Sequence, residues 1–466
     1  MKHDRIIVEK LKYLGIIVPT MLLLLIGCED YLEIGPPTDQ IVGEVVFDDR
    51  ATVEATFAHI YTQFREEAFP AGNLTGISYL MGMYADDFVY VTTDDFEAQS
   101  FSDNSVLPSN ALVQNLWDTG YSLVYATNRI MEGVKGSQSL SMEDRDRFIG
   151  EALFVRAYVH FNLTNLFGAI PYIKTTDYRE NMAVKRMAVP SVYKSLEEDL
   201  LKAKELLGSA TTDTGHFRPD HWTASALLSR TYLYHQEWEK ALAEARYLLD
   251  NSGLTLEPSV EGVFLGNSTE TLWQLDARSQ GRNTNEAYHF VVLSGPPNKA
   301  TLSPSLLESF EAGDRRLVAW VGTFSNEEGT WYFPNKYKLY NLTELTEEYS
   351  ILFRLPEQFL IAAEAGARLN RLDTALEHLN AVRDRAQLPT LEGLDQEGIL
   401  DAILQERRSE FFSEQAHRFY DLKRTGKIGE VLSSEKLYWE ATDIDLPIPE
   451  SELLKNPNLL PQNEGY

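Results

Sequence analysis

Cysteine is almost absent: there is one thiol, Cys28, in 466 residues. No disulfide framework can form within the chain, and no multi-thiolate metal site. Long apolar runs are missing too. The longest, Leu14 to Ile26, is 13 residues, whereas a spanning helix needs about 20. Basic residues are scarce, with 42 Lys and Arg against 70 Asp and Glu, a net charge of −28. Such a chain repels phosphate backbones, so nucleic acid is excluded as a partner. Anionic lipid headgroups would repel it as well. The nine histidines show no metal-ligand spacing. There is no His-Glu-x-x-His, Gly-x-Ser-x-Gly, phosphate loop or dinucleotide fingerprint. No carboxylate pair stands at a spacing that specifies glycoside hydrolysis.

What is present begins at the N-terminus. Lys2, Arg5, Lys10 and Lys12 lead into the short apolar run, which stops at Gly27-Cys28 before Glu29-Asp30. A basic lead, a short apolar core and a small residue before cysteine read as a lipoprotein signal peptide over residues 1–27. Cleavage would leave Cys28 as the lipid anchor. Taking four basic and two acidic residues from totals of 42 and 70 leaves a balance of −30. With Cys28 acylated, no thiol remains to act as a nucleophile. Residues 28–46, with Pro36-Pro37, read as a polar tether, and 47–466 as a single body.

Most of that body has helical periodicity. Val53, Phe57, Ile60, Tyr61 and Phe64 make one stripe, and Phe148, Ala152, Val155, Val159 and Leu163 another. Gly168 to Pro171 stops the second. Ser191 to Leu207 reads as a helix capped by Ser191, and Leu400 to Leu422 as one continuous helix. Ser229 and Ala241 stand 12 apart within His221 to Gly253, which reads as two helices turning at Gln236-Glu237. Ala363 and Ala375 repeat that spacing 134 residues later. Small residues at those places let paired helices approach, as in tetratricopeptide units. The fold class expected is mainly α: a tetratricopeptide-like helix-pair superhelix with an irregular, loop-rich portion containing short strands. Residues 70–110 and 254–345 are that irregular portion, apart from a strand at Thr271 to Leu275.

Several segments resemble one family, the SusD/RagB-like lipoproteins of Bacteroidetes glycan-uptake systems. Cys28-Glu29-Asp30-Tyr31-Leu32 is similar to its mature start. Arg354-Leu355-Pro356-Glu357 through Ala362-Ala363-Glu364-Ala365 is similar to its penultimate helix pair. Gln405 to Phe411 and His417 to Arg424 resemble its most characteristic helix. Leu446-Pro447-Ile448-Pro449, Asn456-Pro457-Asn458-Leu459 and Gln462 to Tyr466 resemble its ending. The resemblance implies a lipid-anchored protein on the outer face of the outer membrane. Such a protein caps a SusC-like TonB-dependent transporter and hands it oligosaccharides without hydrolysing them. Peptide capture by RagB-like members, a tethered glycosidase and a purely protein-binding scaffold are the other readings.

The charged stretch Glu406 to Arg424 reads as a structural ion-pair lattice. Arg407, Arg408, Arg418 and Arg424 pair within it to Glu406, Glu410, Glu414 and Asp421, and an arginine cannot serve as a general base. Asp86-Asp87 and Asp94-Asp95 read as solvated loop carboxylates. Structural calcium there is possible but not expected, because the EF-hand spacing is missing, and no cofactor is expected. Trp117, Trp222 and Trp238 lie on helical stripes and are assigned to the core. Rings in loops beside polar groups suit sugars, whose C–H faces stack on them. The ligand-binding candidates are therefore Tyr84, Phe88, Tyr90 and Phe96 in one stretch, and Arg278, Asn283, Tyr288, Trp320, Trp331 and Tyr332 in another.

Overall fold

Several helices begin where a polar side chain stands ready to satisfy their free N–H groups. Asp49 accepts from the N–H of Thr52 at the start of α1 (Arg50–Glu66). A second helix, α2 (Ile77–Tyr84), is buried along its whole length. Asn110 accepts from Leu112 (2.8 Å) and Val113 (3.1 Å) before α3 (Ala111–Gly136). Ser141 accepts from Asp144 (3.0 Å) before α4 (Met142–Phe167). The remaining scaffold helices are α5 (Val189–Leu207), α6 (His221–Tyr234) and α7 (Trp238–Asn251), then α8 (Arg315–Trp320), α9 (Pro356–Arg368), α10 (Leu372–Arg385), α11 (Gln396–Phe411) and α12 (His417–Arg424). This computed structural model describes residues 47–466 apart from 68, 93 and 209–214. The signal peptide, Cys28 and the tether therefore lie outside the described residues. Among the described residues, no helix is long and apolar enough to cross a membrane.

The helices stack in sequence: α3 on α4, α4 on α5, α5 on α6, α6 on α7, α7 on α9, and α9 on both α10 and α11. The paired-helix architecture expected from the repeat is present. Ser229, Ala241, Ala363 and Ala375 are all fully buried. The two hairpins turn at equivalent residues, Gln236 (φ 60°) and Asn370 (φ 57°), again 134 apart. The Glu237 N–H bonds to Tyr232 O at 2.9 Å, and the Arg371 N–H to Gly366 O at 2.8 Å. Side chains then join one repeat to the other. Arg230 forks onto Glu357 (2.7 and 2.6 Å), and Ser229 bonds to Gln358 (2.6 Å). Elsewhere Arg156 of α4 forks onto Asp199 of α5 (2.8 and 2.7 Å).

Three expectations are corrected. Ser191 is not the cap of α5: the helix starts at Val189 with Pro190 in its first turn, where a missing N–H costs nothing. The stretch from Leu400 to Leu422 is two helices. Ser413, Gln415 and Ala416 adopt positive φ, and the break points Glu414 at Arg354 and Lys336. Residues 70–110 hold α2 and a short helix, Phe96–Ser102, capped by Asp95 (3.1 Å to the Ala98 N–H). Trp117 is buried as expected, whereas Trp222 and Trp238 are half-buried.

The strands are few and short. β1 (Phe88–Val89) pairs with β3 (Thr301–Leu302), β2 (Thr271–Leu275) with β6 (Ser350–Arg354), and β4 (Val321–Asn326) with β5 (Gly329–Pro334), all antiparallel. Every residue of β2 and β6 is buried. Trp273 packs among Phe64, Phe154, Tyr158 and Phe353.

The charged stretch is a buried lattice, but its partners are mostly distant in sequence. Glu410 accepts from Arg316 (2.9 Å), Arg354 and Arg385. Arg316 also reaches Glu406 (2.6 Å) and Asp314 (2.8 Å), and Arg385 reaches Glu270 (2.6 Å). Arg407 and Arg424 do pair with Asp421 (2.7 and 2.8 Å), and Arg424 forks onto Glu364 of α9. Arg408 and Arg418 instead leave the stretch and bind Asp86. Burial alone would raise the Glu410 pKa. Arg385, Arg354 and Arg316 outweigh burial and hold it well below the usual 4.5. A depressed carboxylate pKa stabilises the fold above the unfolded value, and that contribution is lost as pH falls through the folded one. Glu410→Ala should therefore cost about 3–5 kcal/mol, because three guanidiniums lose a buried partner. Removing the exposed Lys202–Glu205 pair should cost less than about 1 kcal/mol. Urea unfolding of both variants at pH 7 checks this; equal, small losses would contradict it.

Candidate functional site

Two loop regions meet on one side of the scaffold because β1 pairs with β3 and β3 packs against β5. The first region is pinned from below by Asp86 and Asp87, which are buried rather than solvated. Arg418 forks onto Asp86 (2.7 and 2.8 Å). Arg408 reaches Asp86 (2.8 Å), Asp87 (3.4 Å) and Ser305 (3.0 Å). The Ser303 N–H completes the clasp on Asp87 O (2.9 Å). Burial raises the Asp86 carboxyl, but Arg418 and Arg408 more than reverse this and hold it low. At Asp87 burial, helped by the neighbouring Asp86 carboxylate, outweighs Arg408 and Arg418 and pushes the pKa up to about 6. The clasp makes these aspartates structural. Among the described residues no cluster of His, Cys, Asp and Glu is arranged to hold a metal.

The second region rests on an aromatic floor. Tyr79, Phe88 and Phe290 pack ring to ring, with centroids 5.9 to 6.1 Å apart, and the Tyr79 hydroxyl accepts from the Ala300 N–H (2.7 Å). Val291, Val292 and Phe333 form a small cluster above, joined by Phe324. Trp331 lies across from Phe324 on the β4–β5 hairpin, its ring 6.3 Å away and near parallel. The same ring covers Gly295 so closely that no Cβ fits there. Asn326 ties the hairpin tip to Gly295 O (3.0 Å). Beneath, the Lys299 ammonium donates to the carbonyls of His289 and Val291, and burial lowers its pKa to about 8.

The candidate residues divide. Tyr84, Phe88 and Trp320 are core residues, not ligand contacts. Tyr84 is ringed by Phe101, Phe419 and Trp439 and donates to Asp443 O (3.0 Å). Phe88 belongs to the floor, and Trp320 donates to Val260 O (2.8 Å). Asn283 is also taken: its amide donates to Thr343 (3.0 Å) and accepts from the Glu347 and Glu348 N–H groups. These four are corrected from ligand candidates to structural roles. Tyr90 and Trp331 are half-buried, while Tyr332, Tyr288 (67% exposed) and Phe96 (80% exposed) reach solvent. Tyr90 follows β1, Trp331 and Tyr332 lie on β5, and Tyr288 sits two residues before the Phe290 floor. These four lie on elements that meet through the β1–β3 pairing and the β3–β5 packing, with Trp331 and Tyr332, successive on β5, on opposite faces of the strand. Arg278 is exposed on a separate loop near Gly281, which Thr343 closes (2.8 Å).

Sequence reasoning missed two hollows of about 430 Å³ each. One is lined by Trp117, Tyr121, Tyr125, Tyr178 and the 452–459 segment. The other is lined by Asn104, Tyr438, Trp439 and Tyr466. The spacing of Trp117, Tyr121 and Tyr125 was the available signal for the first; nothing local marked the second.

The comparisons agree with this architecture. Residues 30–233 match a family model described as starch-binding, associating with the outer membrane, and residues 321–466 match that of the SusD family. SusD-like protein P2 of Formosa agariphila is 28% identical over 96% of this chain and 98% of its own. SusD-like protein P25 of the same organism is 24% identical over 94% and 97%. A SusD superfamily structure from Bacteroides vulgatus superposes with a TM-score of 0.79 at 21% identity, covering 90% of this chain and all of the other. A solved laminarin-binding SusD-like protein gives 0.75 at 24%, covering 89% and 99%. The fold is a helix-pair scaffold with a loop-rich portion packed on it, and the family models it matches describe outer-membrane-associated proteins. The chain belongs to the SusD/RagB-like family of outer-membrane-associated binding proteins.

One titration at the site can be followed. The Glu286 carboxyl is wedged against Gly72, where no Cβ fits, and accepts from Ser350 (2.7 Å). Burial, with Glu348 and Glu414 nearby, pushes its pKa up to about 7. The folded protein then holds a proton that the unfolded chain releases near 4.5, so this group's contribution to stability declines as pH rises from 4.5 through 7. Glu286→Gln should remove that decline and raise the melting temperature more at pH 8 than at pH 5. Equal shifts at the two pH values would refute the assignment.

Proposed function

We propose that this protein is a lipid-anchored, surface-exposed glycan-binding protein that captures oligosaccharides and delivers them to a SusC-like TonB-dependent transporter. One observation carries the glycan part. Tyr90, Tyr288, Trp331 and Tyr332 stand on adjoining surface elements, beside β1, before Phe290 and on β5, that are fastened to the helical scaffold, within a carbohydrate-binding family. Flat rings take the C–H face of a sugar, and neighbouring amide and hydroxyl groups bond its hydroxyls. The same residues offer no nucleophile beside a base, which favours capture over cleavage. Binding is weak per sugar and reversible, as handing on to a transporter demands.

Calorimetric titration against a polysaccharide panel that includes laminarin and starch tests this. Binding to at least one glycan is expected, and Tyr288→Ala with Tyr332→Ala should weaken it at least tenfold, about 1.4 kcal/mol. Binding to peptides with none to any glycan would overturn it.

The anchor is proposed at Cys28, at the end of its short apolar run. Several acyl chains, at about 0.8 kcal/mol per buried CH₂, would hold the body at the membrane where its charge cannot. In cells fed a clickable fatty acid the protein should be labelled and protease-accessible from outside. Cys28→Ala should abolish labelling; a labelled Cys28→Ala variant would disprove the anchor.

A further inference from the structure

The 430 Å³ cleft at Trp117 belongs to none of the loops discussed above. Trp117, Tyr121 and Tyr125 stand four residues apart on α3 and so project from one face, the outer two separated along the axis by roughly 12 Å. The inner rings are locked. Trp117 meets Phe167 edge-on (5.1 Å) and Tyr121 at 4.8 Å, and the Tyr121 hydroxyl donates to Pro171 O (2.9 Å). The outer rings are open: Tyr125 is 52% exposed and Tyr178, on the facing segment, 65%.

The walls are fastened to each other before any ligand arrives. Asn456 donates to Val184 O (2.9 Å), and Asn181 to Thr175 O (2.9 Å). Ser451 donates to Gln114, at the start of α3. Asp118, Asn181 and Glu452 stand among the rings with Lys455, which pairs with Glu452 (2.7 Å). The rim therefore offers hydrogen-bonding groups but no excess of positive charge, which disfavours an anionic ligand. An apolar, preformed cleft of this volume with a few polar groups has the size and lining that small-molecule sites share. Flat rings spaced along it, with carboxylate and amide at their edges, suit an uncharged polyhydroxylated chain better than a fatty or charged one.

We propose that this cleft is a second glycan-binding site, formed by residues separate from those of the loop face, that takes a short neutral oligosaccharide along Trp117, Tyr121 and Tyr125. It rests on the reading that the protein binds glycans. Two sites on one chain would let a long polysaccharide be held at both, raising its apparent affinity beyond either site alone.

The test titrates laminarihexaose and maltohexaose into the mature protein and three variants: Tyr125→Ala with Tyr178→Ala, Tyr288→Ala with Tyr332→Ala, and all four together. All four residues are solvent-exposed, and melting temperatures confirm folding. The loop-face variant should keep residual binding, which the fourfold variant loses by at least tenfold. The cleft variant alone should lower the stoichiometry for the hexasaccharide that wild type binds. If the cleft variant matches wild type while the loop-face variant binds nothing, the second site is disproved and the first reading stands. If binding depends on the cleft alone, the loop placement fails and the cleft is upheld. If neither sugar binds wild type and no panel glycan does, both readings fall together.

Discussion

Glu410 is the point on which the architecture turns. It is fully buried, and it faces guanidiniums from α8, β6 and α10. Those three elements approach from sequence positions 25 to 94 residues away. A carboxylate taken out of water at this depth is tolerable only if all its lone pairs are met, and met in good geometry. The chain must therefore bring α8, β6 and α10 to one place or leave several charges uncompensated. The neighbours extend the same demand: Glu270 needs Arg385, and Glu414 needs Arg354 and Lys336. Replacing such a lattice by apolar packing can be neutral or even stabilising. Its geometry ties α8, β6, α10 and α11 to one another through paired charges.

The lattice runs from the scaffold into the loops that carry the exposed rings. α11 carries Glu406 and Glu410 on one side and Arg408 on another, and Arg408 reaches the Asp86 clasp. Arg418 of α12 grips the same aspartate. β1 follows directly, pairs with β3, and so sets where the hairpin of β4 and β5 lies down. Tyr90 and Trp331 are thus held by backbone pairing and buried ion pairs at one remove. A sugar-binding face gains from this, because a ring already in place loses no rotamer entropy when the ligand arrives.

The scaffold was legible in the sequence and the ligand face only partly so. Ser229 with Ala241, and Ala363 with Ala375, carry their message locally, since a fixed spacing of small residues means close helix packing wherever it occurs. The strand at Thr271 was legible for the same reason. The break after Phe411 was not, because it is imposed by the distant partners of Glu414. The roles of the rings were not either. Tyr84, Trp320 and Tyr288 look alike beside polar neighbours, yet two are sealed under residues 100 or more positions away or in other loops, while Tyr288 stands in solvent. Asp86 looked like any acidic loop residue, and only the arginines of α11 and α12 make it a clasp.

The same non-local logic separates the frame from the exposed rings. Each repeat contact, Arg230 with Glu357 or Arg156 with Asp199, lies between helices and touches none of the exposed rings. Changing Tyr288 or Tyr332 leaves every buried charge paired, and changing Glu410 disturbs the frame beneath all of them. Stability and recognition therefore sit on different residues. The exposed rings can change without disturbing the frame, provided the clasp at Asp86 and the hairpin seat at Gly295 continue to hold the elements that carry them.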